Sequence, residues 1–150
     1  MGRTAAGVKG INLADGDRVV GAVLAEDDAD LMTMTENGYG KRTPMLDYLV
    51  RSEDGTTRAQ SRGGKGRRDI KTGDRKGLVA DIRAVRDSDS LMFITANGML
   101  VRISANDIRT IGRNTKGVRV VNLKDGDRLI AAAKVEGMDE EVEAEIPASM

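Results

Sequence analysis

The sequence predicts an all-β chain of about two to three short antiparallel units, and three observations carry that prediction. The segment GRTAAGVKGINLADGDR at residues 2–18 returns without a gap as GRNTKGVRVVNLKDGDR at 112–128, with ten identical positions. A diverged copy lies between them, with Arg62, Gly66, Ile70 and Leu78-Val79 standing where the first copy has Arg3, Gly7, Ile11 and Val19-Val20. Repeats thus start near residues 2, 61 and 112. A second pair, LMTMTENGYGKR at 31–42 and LMFITANGMLVR at 91–102, recurs between them. Finally, the apolar runs are short and punctuated by turn residues, without the spacing of a helix. Recurrence at roughly fifty residues marks an array of supersecondary units, each burying a face against its neighbours.

Taken in order, Asp15-Gly16-Asp17 marks a turn leading into a strand over Arg18–Leu24, and residues 25–30 supply only a turn. Leu31–Thr35 and Tyr39–Thr43 flank Asn37-Gly38, a strong hairpin signal, because both turn residues tolerate positive φ. Residues 49–68 form one long irregular stretch, of a length that within a compact array is functional or disordered. Leu78–Val85 alternates so that Leu78, Ala80, Ile82 and Ala84 share a face. After a turn at 86–90 comes the second hairpin, Leu91–Thr95 and Met99–Ile103 around Asn97-Gly98. Ser104–Thr110 offers at most one helical turn, and Asp125-Gly126-Asp127 leads into a strand over Arg128–Val135. Residues 1–135 read as the repeated units and 136–150 as an acidic, disordered tail.

Composition removes several function classes. Without cysteine or histidine there are no disulfides, no thiolate or imidazole metal sites and few nucleophile–base pairs. No apolar run approaches the length of a membrane span and no signal peptide is visible, so a cytoplasmic protein is expected. Aromatics are limited to Tyr39, Tyr48 and Phe93, which argues against the stacking used on single strands. The formal net charge of zero conceals an asymmetry. The tail holds six acids and no base, so residues 1–135 keep 24 bases against 18 acids. Eight of those bases fall between Arg58 and Lys76, against Asp69 and Asp74 alone. A basic body with an acidic tail suits a polyanion partner, with the tail competing for the same basic surface.

The glycines around Lys65 do not make a nucleotide-binding loop: Gly66, not Ser or Thr, follows the lysine, and no helix follows. Gly40-Lys41 fails at the same place, with Arg42. The carboxylates Asp15, Asp17, Asp27 and Asp28 sit in turns that favour Asp for backbone reasons. Duplex DNA binding is better supported. Arg3, Arg62 and Arg113 hold one repeat position, and Arg42 and Arg102 hold another. Regularly spaced cations suit a regularly spaced phosphate backbone; the competing reading has the same arginines capping carbonyls between units. The expected contact set is Arg3, Lys41, Arg42, Gln60, Arg62, Gly63, Gly64, Lys65, Gly66, Arg67, Arg68, Lys71, Arg102, Arg113 and Lys116. A propeller-like module binding an acidic protein partner is the alternative.

Together GRTAAGVKGINL, TENGYGKRTPMLDY, RGGKG, ITANGMLVRI and IGRNTKGVRVVNL resemble the C-terminal DNA-wrapping domain of bacterial DNA gyrase A, from Gly2 to about Val135. The related domain of topoisomerase IV is the nearest confusable relative. The resemblance implies a partial β-pinwheel of late blades that bends double-stranded DNA around a basic perimeter. It also implies partnership with the rest of gyrase A and with gyrase B in ATP-dependent negative supercoiling, with ATP and Mg held on other regions and no cofactor here. The family's glycine-rich heptapeptide is matched at six of seven positions by Gln60–Gly66, Ser61 replacing an arginine. Neither Tyr39 nor Tyr48 lies in the context of the family's catalytic tyrosine, so this chain is expected to bind DNA without cutting it. A nucleoid-associated, cytoplasmic place follows from the same resemblance.

Overall fold

The computed structural model describes residues 2–73 and 75–135; the acidic tail lies outside them. Nine strands are present among the described residues: β1 Asp30–Thr35, β2 Tyr39–Pro44, β3 Val50–Arg51, β4 Thr57–Arg58, β5 Val79–Val85, β6 Ser90–Thr95, β7 Leu100–Ser104, β8 Val118–Arg119 and β9 Leu129–Val135. The only helical turns among them are short 3-10 pieces at Met45–Tyr48 and Ala105–Asp107. All strand pairing is antiparallel, in sheets ordered β5-β1-β2-β8, β3-β4 and β7-β6-β9. The all-β expectation holds, and each main unit is centred on one of the two hairpins.

Each hairpin turns through three residues. The Gly38 amide donates to Thr35 O at 3.1 Å, and Gly98 donates to Thr95 O at 3.0 Å. Only the glycines take positive φ, 86° and 82°, while Asn37 and Asn97 do not. The turn is therefore a tight turn closed by a glycine bulge, not the two-residue turn with both residues left-handed.

The sequence repeat becomes a structural repeat. Strand β5 pairs with β1, and β9 pairs with β6, in matching registers; both ladders slip one residue near their ends, at Met34/Thr35 and Ile94/Thr95. The Glu36 amide donates to Leu78 O at 2.9 Å, as Ala96 donates to Arg128 O at 2.9 Å. Outside the hairpins, Asn12 N donates to Gly64 O at 2.7 Å, and its counterpart Lys71 N donates to Thr115 O at 2.8 Å. The two hairpins and their partner strands thus repeat, register for register.

The units are stitched by strand exchange. The outermost strand of the first sheet, β8, comes from the third copy: Tyr39 pairs with Arg119 and Gly40 with Val118. Such closeness needs glycine. A Cβ on Gly117 would lie 2.8 Å from Gly40 O, and one on Gly38 would lie 2.5 Å from Val121 O. Between the sheets sits the core: Met32, Met34, Val85, Leu91, Phe93, Ala105, Ile108, Val121, Leu129 and Ala132. Met32 and Met34 of one sheet share this core with Leu91 and Phe93 of the other, so opposite faces of equivalent strands turn to it, as in stacked blades. Each fully buried large side chain contributes about 1.5–3 kcal/mol.

Three expectations need correcting. The segment 18–24 forms no strand, and Val19 and Leu24 are 64% and 78% exposed, because no hairpin among the described residues lies alongside to pair with it. In β5 the buried positions are Asp81 and Val85, while Leu78 is exposed. Strict alternation turns Asp81 outward, but its carboxylate accepts Ala132 N at 3.1 Å, Ile82 N at 2.8 Å and the Arg83 guanidinium at 3.0 Å. Within residues 49–68, β3 and β4 form a small hairpin, closed by Ser52 N donating to Thr56 O.

Candidate nucleic-acid interface

The candidate interface is built from the repeated segments near residues 2–12, 61–71 and 112–122, which run along the outside of the hairpins. Superposing their sequences aligns Arg3 with Arg62 and Arg113, Lys65 with Lys116, and Lys9 with Arg68 and Arg119. Arg3, Lys9, Arg62, Lys65, Arg68, Lys116 and Arg119 are all exposed. Arg119 lies on the edge strand of the four-stranded sheet. The Lys9–Arg68–Arg119 row escaped the sequence reading, although Lys9 against Arg119 is a charge-preserving exchange within the longest repeat.

Arg119 and Lys76 clasp Tyr39. The Lys76 ammonium sits 3.9 Å from the ring centroid and the Arg119 guanidinium 5.0 Å from it, with Arg119 Nη2 donating to the tyrosine hydroxyl at 2.8 Å. The contact holds two cations from different segments side by side at the surface, each gaining about 0.5–1 kcal/mol from the ring.

Several cations expected at the interface are engaged within the chain, and two of them, Lys41 and Arg42, are buried. Lys41 has no exposed surface. Its ammonium donates to Gly112 O at 2.9 Å, to Arg113 O at 3.0 Å and to Asp69 O, and lies 3.5 Å from the Asp69 carboxylate. Burial pushes this ammonium below the usual lysine range, with Asp69 pulling the other way. The Asp69 carboxylate also accepts the Thr33 hydroxyl at 2.6 Å and the Tyr48 hydroxyl. Tyr48 is raised above the ordinary tyrosine value, first by burial and then by that carboxylate. Arg42 is also buried, donating to Ile108 O at 2.9 Å and to Asp87 at 2.6 Å. Arg113 caps Asp47 O at 2.7 Å and Arg68 O at 3.1 Å, and Arg67 caps Leu49 O at 2.9 Å. Arg42, Arg67 and Arg113 thus each donate to main-chain carbonyls, as Lys41 does. Arg102 occupies the position of Arg42 in the second hairpin yet is exposed, because no further segment covers β7 among the described residues.

The glycine-rich turn also faces inward in part. Gly63 N donates to Gly10 O at 2.8 Å, and a Cβ on Gly66 would lie 3.4 Å from Ile11 Cδ1. The Gln60 amide lies beside Gly64. The glycines thus let the second copy lie against the first, and this leaves Arg62, Lys65, Arg68 and Lys71 pointing to solvent.

Comparison with known proteins fits this geometry. The family model described as DNA gyrase C-terminal domain, beta-propeller, matches residues 1–26, 29–52, 58–86 and 89–136. The chain belongs to the DNA gyrase C-terminal domain family. It is similar to DNA gyrase A of Staphylococcus epidermidis, at 40% identity over 93% of this chain and 15% of that protein. Likewise it is similar to DNA gyrase A of Kosmotoga olearia, at 46% identity over 90% of this chain and 16% of that protein. The chain therefore spans only 15–16% of the length of these curated relatives. A solved DNA gyrase A C-terminal domain superposes with TM-score 0.73 at 29% identity, covering 85% of this chain and 41% of that one. A topoisomerase IV C-terminal domain shares the fold, at TM-score 0.69 and 24% identity, covering 86% of this chain and 38% of that one. The partial pinwheel expected from the resemblance is the fold of the gyrase domain family.

Proposed function

We propose that this chain binds double-stranded DNA without sequence preference along its repeated outer segments and bends it, as part of a DNA gyrase A protein. The observation that carries the reading is the exposed row Lys9, Arg68 and Arg119, one cation per repeat copy, reinforced by Arg3, Arg62, Lys65, Lys71, Arg102 and Lys116. Their spacing is fixed by the fold, so phosphates along a curved duplex meet cations already in place. Bending a site of twenty to thirty base pairs costs on the order of 1–6 kcal/mol, which several phosphate contacts per copy offset. Cutting, strand passage and ATP use belong in this reading to the remainder of gyrase A and to gyrase B, for which this domain positions DNA.

The test is duplex affinity as a function of salt. Changing Lys9, Arg68 and Arg119 together to Ala is expected to weaken binding equally for unrelated sequences and to lower the log–log salt slope by roughly 2–3. Unchanged affinity and slope would place the DNA elsewhere. If the parent itself shows negligible duplex affinity at physiological salt, the module binds another acidic partner.

A further inference from the structure

The cation contact on Tyr39 belongs to one hairpin and not to the other, and two sequence positions separate them. Tyr39 aligns with Met99 in the second hairpin, and Lys76 aligns with Asp17 and Asp127 in the other copies. Ring and cation thus occur together, whereas Met99 is matched with a carboxylate. Asp127 has a task in its own turn, where Oδ1 accepts Asn97 N at 3.0 Å. In the first hairpin the equivalent amide, Asn37 N, donates instead to Lys76 O at 3.2 Å. The main chain does there what a side chain does in the second hairpin, and this releases the Lys76 side chain for the ring.

Backbone geometry sets both cations in place. Tyr39 and Arg119 face each other across the β2–β8 pair. The turn carrying Lys76 is closed by Lys76 N donating to Gly73 O at 2.8 Å. The Asn37 side-chain amide ties that turn to the hairpin, donating to Arg75 O at 3.1 Å. Among the described residues, Arg42, Arg83 and Arg86 pair with carboxylates, while Lys76 and Arg119 are held by Tyr39 and by no carboxylate. A ring orders cations without neutralising them. With the ammonium 3.9 Å and the guanidinium 5.0 Å from one centroid, two full charges stand close together. One phosphate can accept from both through two of its oxygens, at about 2.7–2.9 Å each.

We propose, resting on the duplex-binding reading above, that Tyr39 is a positioning residue that holds Lys76 and Arg119 as a clamp on a single backbone phosphate of double-stranded DNA. The clamp anchors the duplex at the first hairpin. Met99 and Asp127 make no such clamp at the second.

Duplex affinity and its salt dependence, measured on the full chain, test the clamp. Y39M installs the residue of the second hairpin, removes no charge, and is expected to weaken binding about 5–10-fold. Y39F keeps the ring, loses only the hydrogen bond from Arg119, and is expected to weaken binding about 2-fold. Because Tyr39 acts through the two cations, adding Y39M to K76M/R119M is expected to weaken binding no further; a general structural effect of Y39M would persist in that background. K76M/R119M itself is expected to lower the log–log salt slope by about 1, one phosphate, where two separate contacts give about 2. The clamp is overturned, with the duplex reading left standing, if Y39M binds like the parent or Y39F loses as much as Y39M. A further loss from Y39M in K76M/R119M, or a slope lowered by about 2, overturns it equally. A parent with no duplex affinity overturns both.

Discussion

At the scale of single residues, Lys41 and Gly117 show how one repeat position takes on different work in different copies. Lys41 is a charge enclosed by three carbonyls and one carboxylate, so K41M leaves those carbonyls without this donor and Asp69 without its cation. A loss of about 2–4 kcal/mol is expected in urea unfolding, while K116A, on the surface, should stay within about 0.5 kcal/mol of the parent. Gly117 and Gly7 both have positive φ, but only Gly117 lies against a neighbouring carbonyl. G117A should therefore cost about 2–4 kcal/mol, from left-handed backbone strain plus separation of β8 from β2, and G7A about 1–2 kcal/mol, from the strain alone. Tyr48 predicts an alkaline limit. Its folded-state value is raised, so its contribution is complete below the unfolded value of about 10 and is lost as pH climbs above it. Comparing the parent with Y48F should show tyrosinate absorbance from Tyr48 only as the parent unfolds, and a shallower alkaline loss of stability in Y48F. Absorbance from Tyr48 in a folded parent just above pH 10 would contradict this.

At the scale of elements, hairpins and inner strands were legible because their signals are local. Asn-Gly turns flanked by apolar runs needed no knowledge of partners. The direction in which β5 buries its side chains was not legible, since Asp81 looks like a solvent residue until the amide of Ala132 is placed beside it. D81A should therefore destabilise by about 1–3 kcal/mol, as the Ala132 amide and the Arg83 guanidinium lose their acceptor; a neutral result would mean that water replaces it. Burial of Arg42 against exposure of Arg102 was hidden for a related reason. The two are equal in sequence, and only the count of neighbouring segments separates them. Half of the candidate site was thus readable as cation spacing. The division between cations that hold the array together and cations that face solvent required the fold.

At the scale of the whole molecule, charge and topology act together. The six tail acids follow a body in which bases outnumber acids, so on the proposed DNA-binding reading their effect would be electrostatic and screened by salt. Deleting residues 136–150 should raise duplex affinity at low ionic strength, with the gain shrinking as salt is added; an unchanged affinity at every salt would assign the tail no part in binding. Strand exchange also sets a timetable for synthesis. Gly40 leaves the ribosome long before Val118, the residue that pairs with it. At roughly 5–20 residues per second the edge of β2 stands bare for about 4–16 s while the intervening chain is made. The first unit thus waits for a strand from two copies downstream, and over that interval its open edge is a target for chaperones or for the emerging chain of a neighbouring ribosome.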